Sequence, residues 1–409
     1  MTEAETKALN DAIAQGAIAS AKAQAVTDAM PPALKTLNTL CKALVTSLLI
    51  TTAASAHASN PQPPVVTLAM DSVSSAPIIV HSADAREPAV VALAAFNNGN
   101  PANGTAWYGA TNGNGKNDST GWPTTGDIKA IIALGVKTIR LPIQPNYCLL
   151  PDGTLNRWVI KYLAGSIKLA TSQHVSIVLE AHTYLPFTDP KVASFWSLFA
   201  PAMEKAIGGP SPMFGIELSN EPGSSSKDLA AWTSPLRVTI ADIRNAGYQG
   251  YIFAGAGDWN NATFLPLALA TIVKPTAVDP LNRTIYTMHD YWQKDRSPAK
   301  TRNDRGAAVD GTINIAKRYD PALKAARKLG VKIVMSEIGG GISPNGPLPA
   351  FNGVGKNGAQ LEAEYFAYAK ANRDVLLGSW FWSAGKFKPD YVGKVAAGNP
   401  HTIALQGFW

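Results

Sequence analysis

Eight short runs rich in β-branched and aromatic residues alternate with helical stretches along the chain, and this alternation predicts an α/β fold. Strands that alternate with helices pair in parallel through crossover helices. Eight such units favour a closed (β/α)8 barrel, a TIM barrel, over residues 105–409. The runs are AWYGAT (106–111), VKTIRLPI (136–143), VSIVLEAH (175–182), FGIELSN (214–220), GYIFAGA (250–256), TIYTMHD (284–290), VKIVMSE (331–337) and LLGSWFW (376–382).

The stretches between the runs have the apolar spacing of amphipathic helices. Examples are DIKAIIALG, VIKYLAGSIKLATSQ, INIAKRYDPALKAARKLG and AQLEAEYFAYAKANRD. Gly135 and Gly330 each follow a helical stretch just before the next run, at the position where glycine commonly ends a helix. An open, doubly wound sheet is the competing prediction, but no glycine-rich nucleotide-binding turn follows the first run.

The part of the chain before the barrel divides into two segments. Residues 1–58 are expected to be a leader that contains a secretory signal peptide. We expect the true translation start to be Met30, so that the signal peptide runs from Met30 to the cleavage point before Ser59. A positive start, an apolar stretch and a small-x-small cleavage site support this, supplied by Lys35 and Lys42, residues 43–54, and Ala56-His57-Ala58. We therefore expect export by a Sec-type route and a secreted or periplasmic protein. An amphipathic helical leader of an intracellular protein is the alternative.

Residues 59–104 are rich in Pro, Ser, Ala and Asn, which indicates a linker or a loosely packed extension. Cys41 lies in the leader, so the mature chain keeps only Cys148 and no intramolecular disulfide is expected. A chain with 46% hydrophobic residues can bury a large core without such a bond.

The net charge of +7 comes from scattered basic residues, without a run of Lys or Arg. This pattern favours an ordinary basic surface over a nucleic-acid footprint. The apolar stretch of the leader is also shorter than the roughly 20 residues that a membrane span needs. We expect a monomer that has no membrane span and does not bind nucleic acid.

Polar and aromatic residues cluster at the ends of the predicted strands. Catalytic residues of such barrels lie at the carboxyl ends of the strands, so these residues mark a candidate site. The ends of six runs supply them: Arg140; His182 and Tyr184; Asn220 and Glu221; His289 and Tyr291; Glu337; and Trp382.

Two of these residues are carboxylates on opposite sides of the predicted ring. Glu221 and Glu337 end the fourth and seventh strands, and strands three apart in an eight-stranded ring face each other across its mouth. Cleavage of a glycosidic bond requires such a pair, one group to protonate the leaving oxygen and one to attack the sugar or activate water. The alternative for each is a rim ion pair, with Arg140 as the obvious partner.

The motif LSNEPG, with Arg140 upstream and SEIGGG downstream, resembles glycoside hydrolase family 5, the cellulase family. The resemblance covers about residues 105–409. It implies a retaining mechanism without metal or cofactor, in which Glu221 is the general acid/base and Glu337 the nucleophile. We also expect the charge of Glu337 to raise the pKa of Glu221.

The same resemblance assigns supporting roles. Arg140 is expected to keep Glu337 ionised, Tyr291 to orient it, and Asn220 to hold the sugar 2-hydroxyl. His182 and His289 would line the subsite at the cleavage point. Thr183 departs from the Asn that many members have at that position, and Tyr184 beside it is a further supporting residue. For the strand-eight tryptophan of the family, Trp382 is preferred to Trp380 because only one of the two can face the cleft.

Sugars have apolar faces, so exposed indole rings in the cleft can bind them. Trp382, Trp259 and Trp292 are expected at the rim, whereas helical sequences surround the core candidates Trp158, Trp196 and Trp232.

The leading interpretation is an endo-β-1,4-glucanase whose partner is a β-linked polysaccharide or oligosaccharide. The same mechanism on β-mannan, xylan or mixed-linkage glucan is an alternative, and a non-catalytic glycan-binding barrel is another. A metal-dependent barrel hydrolase is disfavoured, because the histidines at 174, 182, 289 and 401 include no His-x-His pair.

Overall fold

A computed structural model describes residues 104–108, 123–222, 230–293, 308–343, 346–385 and 395–406. The predicted leader (1–58) and nearly all of the predicted linker (59–104) lie outside these ranges. The described residues belong to Ile78–Trp409, one of the two units into which the chain divides. No helix within these ranges has the length and apolar character to cross a bilayer.

Eight parallel strands close into a barrel in the order β1-β10-β7-β6-β5-β4-β3-β2. This confirms the predicted (β/α)8 barrel, and the open sheet is wrong. The barrel strands are β1 (Gly104–Tyr108), β2 (Thr138–Ile143), β3 (Ser176–Ala181), β4 (Phe214–Glu217), β5 (Tyr251–Gly255), β6 (Thr284–Tyr291), β7 (Lys332–Gly339) and β10 (Leu376–Gly385), and a small antiparallel pair is formed by β8 (Ile342–Ser343) and β9 (Gly346–Pro347).

Helices follow the strands around the outside of the barrel. They are α1 (Thr125–Ala133), α2 (Pro145–Cys148), α3 (Arg157–Ser172), α4 (Pro190–Ile207), α5 (Ala230–Asn245), α6 (Gly257–Asn260), α7 (Leu265–Ala270), α8 (Pro275–Val278), α9 (Ile315–Leu329), α10 (Gly358–Ala371) and α11 (Pro400–Gln406), with a 3-10 turn at Phe351–Gly353. Gly330 caps α9 with a φ of 70°, and Gly135 has a φ of 92° just after α1, so both predicted helix ends are confirmed.

The core has two layers. One fills the barrel interior and includes Val178, Phe253, Ile285, Val334 and Trp380. The other lies between strands and helices and contains Trp196 and Trp232, with Trp158 packed against its edge, as the sequence predicted. Trp196 also donates its indole N–H to the Leu218 carbonyl at 2.8 Å, which fixes helix α4 to the end of β4.

The register between β6 and β7 shifts between Met288 and His289, so that His289 pairs directly with Glu337. Irregularities of this kind redirect side chains near active sites. The shift brings an imidazole beside a carboxylate at the carboxyl end of the barrel.

Candidate active site

Arg140 forms the floor of the site. It lies in the middle of β2 and is fully buried. Its Nε donates to Glu217 Oε2 at 2.5 Å, its Nη1 to Glu337 Oε1 at 2.7 Å and its Nη2 to Asn220 Oδ1 at 2.9 Å. One guanidinium therefore orients three side chains, Glu217 on β4, Asn220 just after β4 and Glu337 on β7, which its planar set of donors suits well.

Glu217 and Glu180 are two buried carboxylates that the sequence analysis did not assign to the site. Glu217 accepts from Thr287 Oγ1 and Ser336 Oγ, each at 3.1 Å, in addition to Arg140. Glu180 Oε2 lies 3.6 Å from Arg140 Nη2. Burial opposes ionisation of Glu180, but the charge of Arg140 together with the charge and hydrogen bond of His182 holds the pKa of Glu180 below its usual value. The floor is thus a network of paired charges.

Glu337 extends from β7 into the mouth of the barrel and is only 4% exposed. Besides the bond from Arg140 to Oε1, Oε2 accepts a 2.6 Å hydrogen bond from the Tyr291 hydroxyl. His289 Nδ1 is 3.7 Å from the same oxygen. Both carboxylate oxygens are held by donors, so the side chain has a fixed orientation.

Glu221 follows β4 by four residues, on the turn that begins the Asn-Glu-Pro sequence. Its backbone is left-handed, with a φ of 44°, a conformation that is uncommon for a residue with a side chain. Its side chain is 17% exposed, and Oε1 lies 3.0 Å from His289 Nδ1. The turn thus directs the carboxyl group back over the mouth instead of along the strand.

Burial raises the pKa of Glu221 to about 7, and the Glu180 carboxylate adds to the shift while His182 and Arg140 oppose it. A raised pKa was predicted from the sequence with the charge of Glu337 as its cause; the direction agrees, but the cause is burial and not Glu337. Glu337 has its charge balanced by the Arg140 contact, so desolvation dominates.

Burial also lowers the pKa of His289, which favours the neutral imidazole between the two carboxyl groups. Carboxylate oxygens of Glu221 and Glu337 and a ring nitrogen of His289 all lie within 4.8 Å of one another. This is the one set of side chains within the described ranges that could hold a metal ion. The carboxyl groups are also hydrogen-bonded within the site, Glu221 to His289 and Glu337 to Arg140 and Tyr291.

His182 and Tyr184 extend the site along β3. His182 Nδ1 lies 3.0 Å from Glu180 Oε2, and the Tyr184 hydroxyl lies 3.0 Å from His182 Nε2. Burial works to lower the pKa of His182, but the charge and hydrogen bond of the adjacent Glu180, together with the charge of Glu337, raise it above its usual value. Thr183, the departure from the family pattern, bonds to Ser219 Oγ at 3.1 Å and so connects the ends of β3 and β4.

A row of rings runs along the mouth from β10 to the loop after β5. Trp382 stacks on His182 at 6.2 Å, His182 meets Tyr184 at 5.1 Å, and Tyr184 meets the edge of Trp259 at 6.2 Å. We call Trp382, His182, Tyr184 and Trp259 the aromatic row. Tyr184 and Trp259 are 44% and 51% exposed, as a sugar-binding surface would require.

The structure separates the other tryptophans from the cleft. Trp380 points into the barrel interior against Phe253, which supports the choice of Trp382. The prediction that Trp292 lines the cleft is wrong: it is fully buried and donates its indole N–H to the Tyr319 hydroxyl at 3.0 Å. It follows the end of β6 but turns towards helix α9 instead of the mouth.

Four residues that support the floor were not predicted from the sequence: Glu180, Glu217, Thr287 and Ser336. Glu217 had a detectable signal, because it is a charged residue between Ile216 and Leu218 in an otherwise apolar run. A charge in a buried strand needs a partner. Thr287 and Ser336 gave no signal, since hydroxyl residues are ordinary in strands.

The fold and the site together define a glycoside hydrolase. The fold is a parallel eight-stranded barrel, and two carboxyl side chains face each other where its strands end. An arginine lies beneath them and the aromatic row lies beside them. The model of the family "Cellulase (glycosyl hydrolase family 5)" matches residues 97–386, and the chain belongs to that family. The resemblance seen in the sequence is thereby confirmed, and the chain is a family 5 glycosidase.

Known relatives are distant. Endo-beta-1,4-glucanase A of Emericella nidulans is 26% identical over 283 residues, which are 66% of this chain and 78% of the relative. A solved endo-beta-1,4-glucanase from Xanthomonas axonopodis pv. citri has a TM-score of 0.60 and 20% identity, over 75% of this chain and 98% of the other. Endoglucanase Cel5A of Pseudomonas stutzeri, solved in complex with cellobiose, has a TM-score of 0.58 and 22% identity, over 75% and 91%. These structures share the fold of this chain.

Proposed function

We propose that the chain is a retaining endo-β-1,4-glucanase that cleaves cellulose or a related β-glucan by double displacement. The observation that carries this proposal is the short separation between Glu221 and Glu337, whose carboxylate oxygens approach within 4.8 Å. Retaining glycosidases have carboxyl groups about 5–5.5 Å apart, whereas inverting ones leave room for a water at about 6.5–9.5 Å.

In the first step Glu337 attacks the anomeric carbon and forms a glycosyl-enzyme ester. The hydrogen bonds from Arg140 and Tyr291 hold its two carboxylate oxygens in one orientation. The bond to the leaving sugar breaks as Glu221 gives its proton to the glycosidic oxygen. Its raised pKa, about 7, keeps that proton available in weakly acidic to neutral solution.

In the second step Glu221, now ionised, takes a proton from water, and the resulting hydroxide attacks the anomeric carbon and releases Glu337. Neutral His289, 3.0 Å from Glu221, orients the carboxyl group through both steps. Asn220, held by Arg140, is placed to bond the sugar 2-hydroxyl, a contact that strengthens in the transition state.

The glucan preference rests on the relatives. The Emericella nidulans relative is named an endo-beta-1,4-glucanase, and the Pseudomonas stutzeri structure holds cellobiose. The exposed half of the aromatic row, Tyr184 and Trp259, suits a flat equatorial β-1,4 chain whose sugar faces are apolar.

The test is release of reducing sugar from carboxymethylcellulose, β-mannan, xylan and mixed-linkage glucan. We expect carboxymethylcellulose or mixed-linkage glucan to be cleaved fastest, with a rapid fall in viscosity as internal bonds break. Glu337→Ala should lose turnover by at least about a thousandfold while it still folds and binds glycan. Glu364→Ala, on outer helix α10, is the matched control and should retain full turnover.

Faster cleavage of mannan or xylan would move the substrate preference to that glycan and leave the mechanism in place. Turnover that survives in Glu337→Ala would reject the assignment of the nucleophile. Binding of glycan by the wild-type protein without any turnover would favour the non-catalytic barrel.

We propose, on the leader sequence alone, that the protein is exported and cleaved before Ser59. Amino-terminal sequencing of the protein from the culture medium or periplasm of its host is the test. An intact leader on an intracellular product would overturn the proposal.

A further inference from the structure

Trp259 is the exposed end of the aromatic row, and the short segment α6 that carries it is a left-handed turn in the loop after β5, not a right-handed helix. Asp258, Trp259 and Asn260 have φ values of 56°, 57° and 57° in succession. Residues with side chains rarely adopt this left-handed conformation, and three in a row persist only where the surroundings hold them. The loop must therefore be stabilised by specific contacts.

The side chain of Asn260 supplies those contacts. It is fully buried, unlike its neighbour Trp259. Asn260 Oδ1 accepts from the backbone N–H of Ala256 at 3.0 Å, and Nδ2 donates to Thr287 Oγ1 at 3.0 Å. The amide thus bridges the start of the loop to strand β6, and its two ends are fixed because one must accept and the other must donate.

Gly255, the last residue of β5, makes room for this amide. A Cβ at Gly255 would lie 2.6–2.8 Å from the side-chain amide atoms of Asn260, closer than real Cβ contacts allow. The requirement for glycine here is spatial, because an alanine at this position would push the Asn260 amide out of its place.

The contacts continue into the catalytic floor. Because Thr287 Oγ1 accepts from Asn260, its own hydrogen goes to Glu217 Oε1 at 3.1 Å, and Glu217 holds Arg140. A chain of hydrogen bonds through Thr287 and Glu217 thereby connects the loop that carries Trp259 with Arg140.

We propose that Asn260 is a positioning residue that, together with Gly255 and Thr287, holds Trp259 in the orientation in which it binds a sugar ring of the substrate. This inference rests on the proposed function, since it takes the glycan as the ligand. Asn260 itself lies beneath the loop and does not touch the substrate. Its effect passes through Trp259.

The test measures binding of cellopentaose by calorimetry in the Glu337→Ala protein, which cannot consume the ligand. Trp259→Ala is expected to raise Kd about tenfold, the loss of one sugar–indole contact. Asn260→Ala is expected to raise Kd by a similar factor. The double variant should be no weaker than Trp259→Ala alone, because the two residues act as one unit.

Gly255→Ala should displace the Asn260 amide without removing it, and it should raise Kd by the factor expected for Asn260→Ala. It tests the inference independently if the Asn260→Ala protein folds poorly. Thr287→Val, which removes the hydroxyl but keeps the volume, should raise Kd by a smaller factor. Gly165→Ala, at an exposed helical position with open space around its Cβ, is the matched control and should leave Kd unchanged.

A lower unfolding temperature with unchanged Kd in the Asn260 and Gly255 variants would overturn the inference, because it would show a structural role only. The inference would also be overturned if the Kd of the double variant rose by the product of the two single-variant factors, because the two residues would then act independently. Failure of the proposed function is separately visible: the parent Glu337→Ala protein would then not bind cellopentaose and the wild type would not release sugar.

Discussion

The imidazole of His289 lies with Nδ1 3.0 Å from Oε1 of Glu221, and burial moves the pKa values of the two residues in opposite directions. Glu221 is shifted towards its neutral acid and His289 towards its neutral base. Below about pH 7 the carboxyl group of this pair therefore carries a transferable hydrogen at the mouth of the barrel.

The activity of the wild-type protein should fall as pH rises through about 7, because Glu221 must be protonated to release the leaving sugar and its pKa is about 7. The measurement is kcat/KM for a cello-oligosaccharide between about pH 4 and 9, which reports groups of the free enzyme. Glu221→Gln should lack this basic limb when assayed on an aryl glycoside whose leaving group needs no proton. A wild-type profile that stays flat to about pH 9 would contradict the assignment.

The same raised pKa should make Glu221 a cost to stability at high pH. Its folded pKa, about 7, lies above the ordinary 4.5, so the folded protein binds more protons than the unfolded chain in this window. The free energy of unfolding should therefore decrease as pH rises from about 4.5 to 7, by up to roughly 3 kcal/mol.

Urea unfolding of Glu221→Gln tests this directly. The variant should exceed the wild type in stability at about pH 8 and show little advantage at about pH 4, where the wild-type carboxyl group is protonated in both states. Asp242→Asn, which changes an exposed carboxyl group on helix α5, is the control. An equal gain at both pH values would mean that the ionisation of Glu221 is not responsible.

Removal of Arg140 should cost far more stability than removal of a surface arginine. Arg140→Met leaves Glu217 and Glu180 buried without their cation, and breaking a buried pair costs about 3–5 kcal/mol. Arg327→Met breaks a more exposed pair with Asp374, for which about 0–1 kcal/mol is expected. Denaturant unfolding of both variants measures the contrast, and similar losses would show that the floor is not a network of strong pairs.

Tyr291→Phe should lower kcat/KM about 10–100-fold, because it removes a hydrogen bond to the charged Glu337, a contact of about 1.5–3 kcal/mol. Tyr368→Phe removes a comparable bond to Asp320 on the outer helices and should leave kcat/KM unchanged. If the two variants had equal activity, the Tyr291 hydroxyl would have no part in orienting the nucleophile.

The strands were predictable because each is a buried apolar run that contrasts with an amphipathic helix. Most of the rim residues were predictable because each stands at or just after the end of such a run, as Glu337 and Glu221 do. Arg140 was expected at a strand end, but it lies within β2 and is buried beneath the rim. Glu217 was missed because a sequence does not show which buried charges meet. Trp292 was misplaced for a related reason, since one residue beyond a strand a side chain can turn to the mouth or to the helices.

The origin of the Glu221 pKa shift and the role of Asn260 depend on turns after the strands. Glu221, Trp259 and Asn260 all have left-handed backbones. None of these positions is a glycine, the residue that would have indicated this conformation in the sequence. Pattern and propensity describe the elements of a barrel well, but the conformation of a turn between them is decided by its tertiary contacts.

The fit between Gly255 and the Asn260 amide has a practical meaning for redesign of the cleft. An engineer who transplants the Trp259 loop into another barrel of this kind would have to move the glycine before it and the threonine on the neighbouring strand as well. Without Gly255 and Thr287, the Asn260 amide would lose the space and the hydrogen bond that hold it. The Trp259 indole would then no longer keep its orientation.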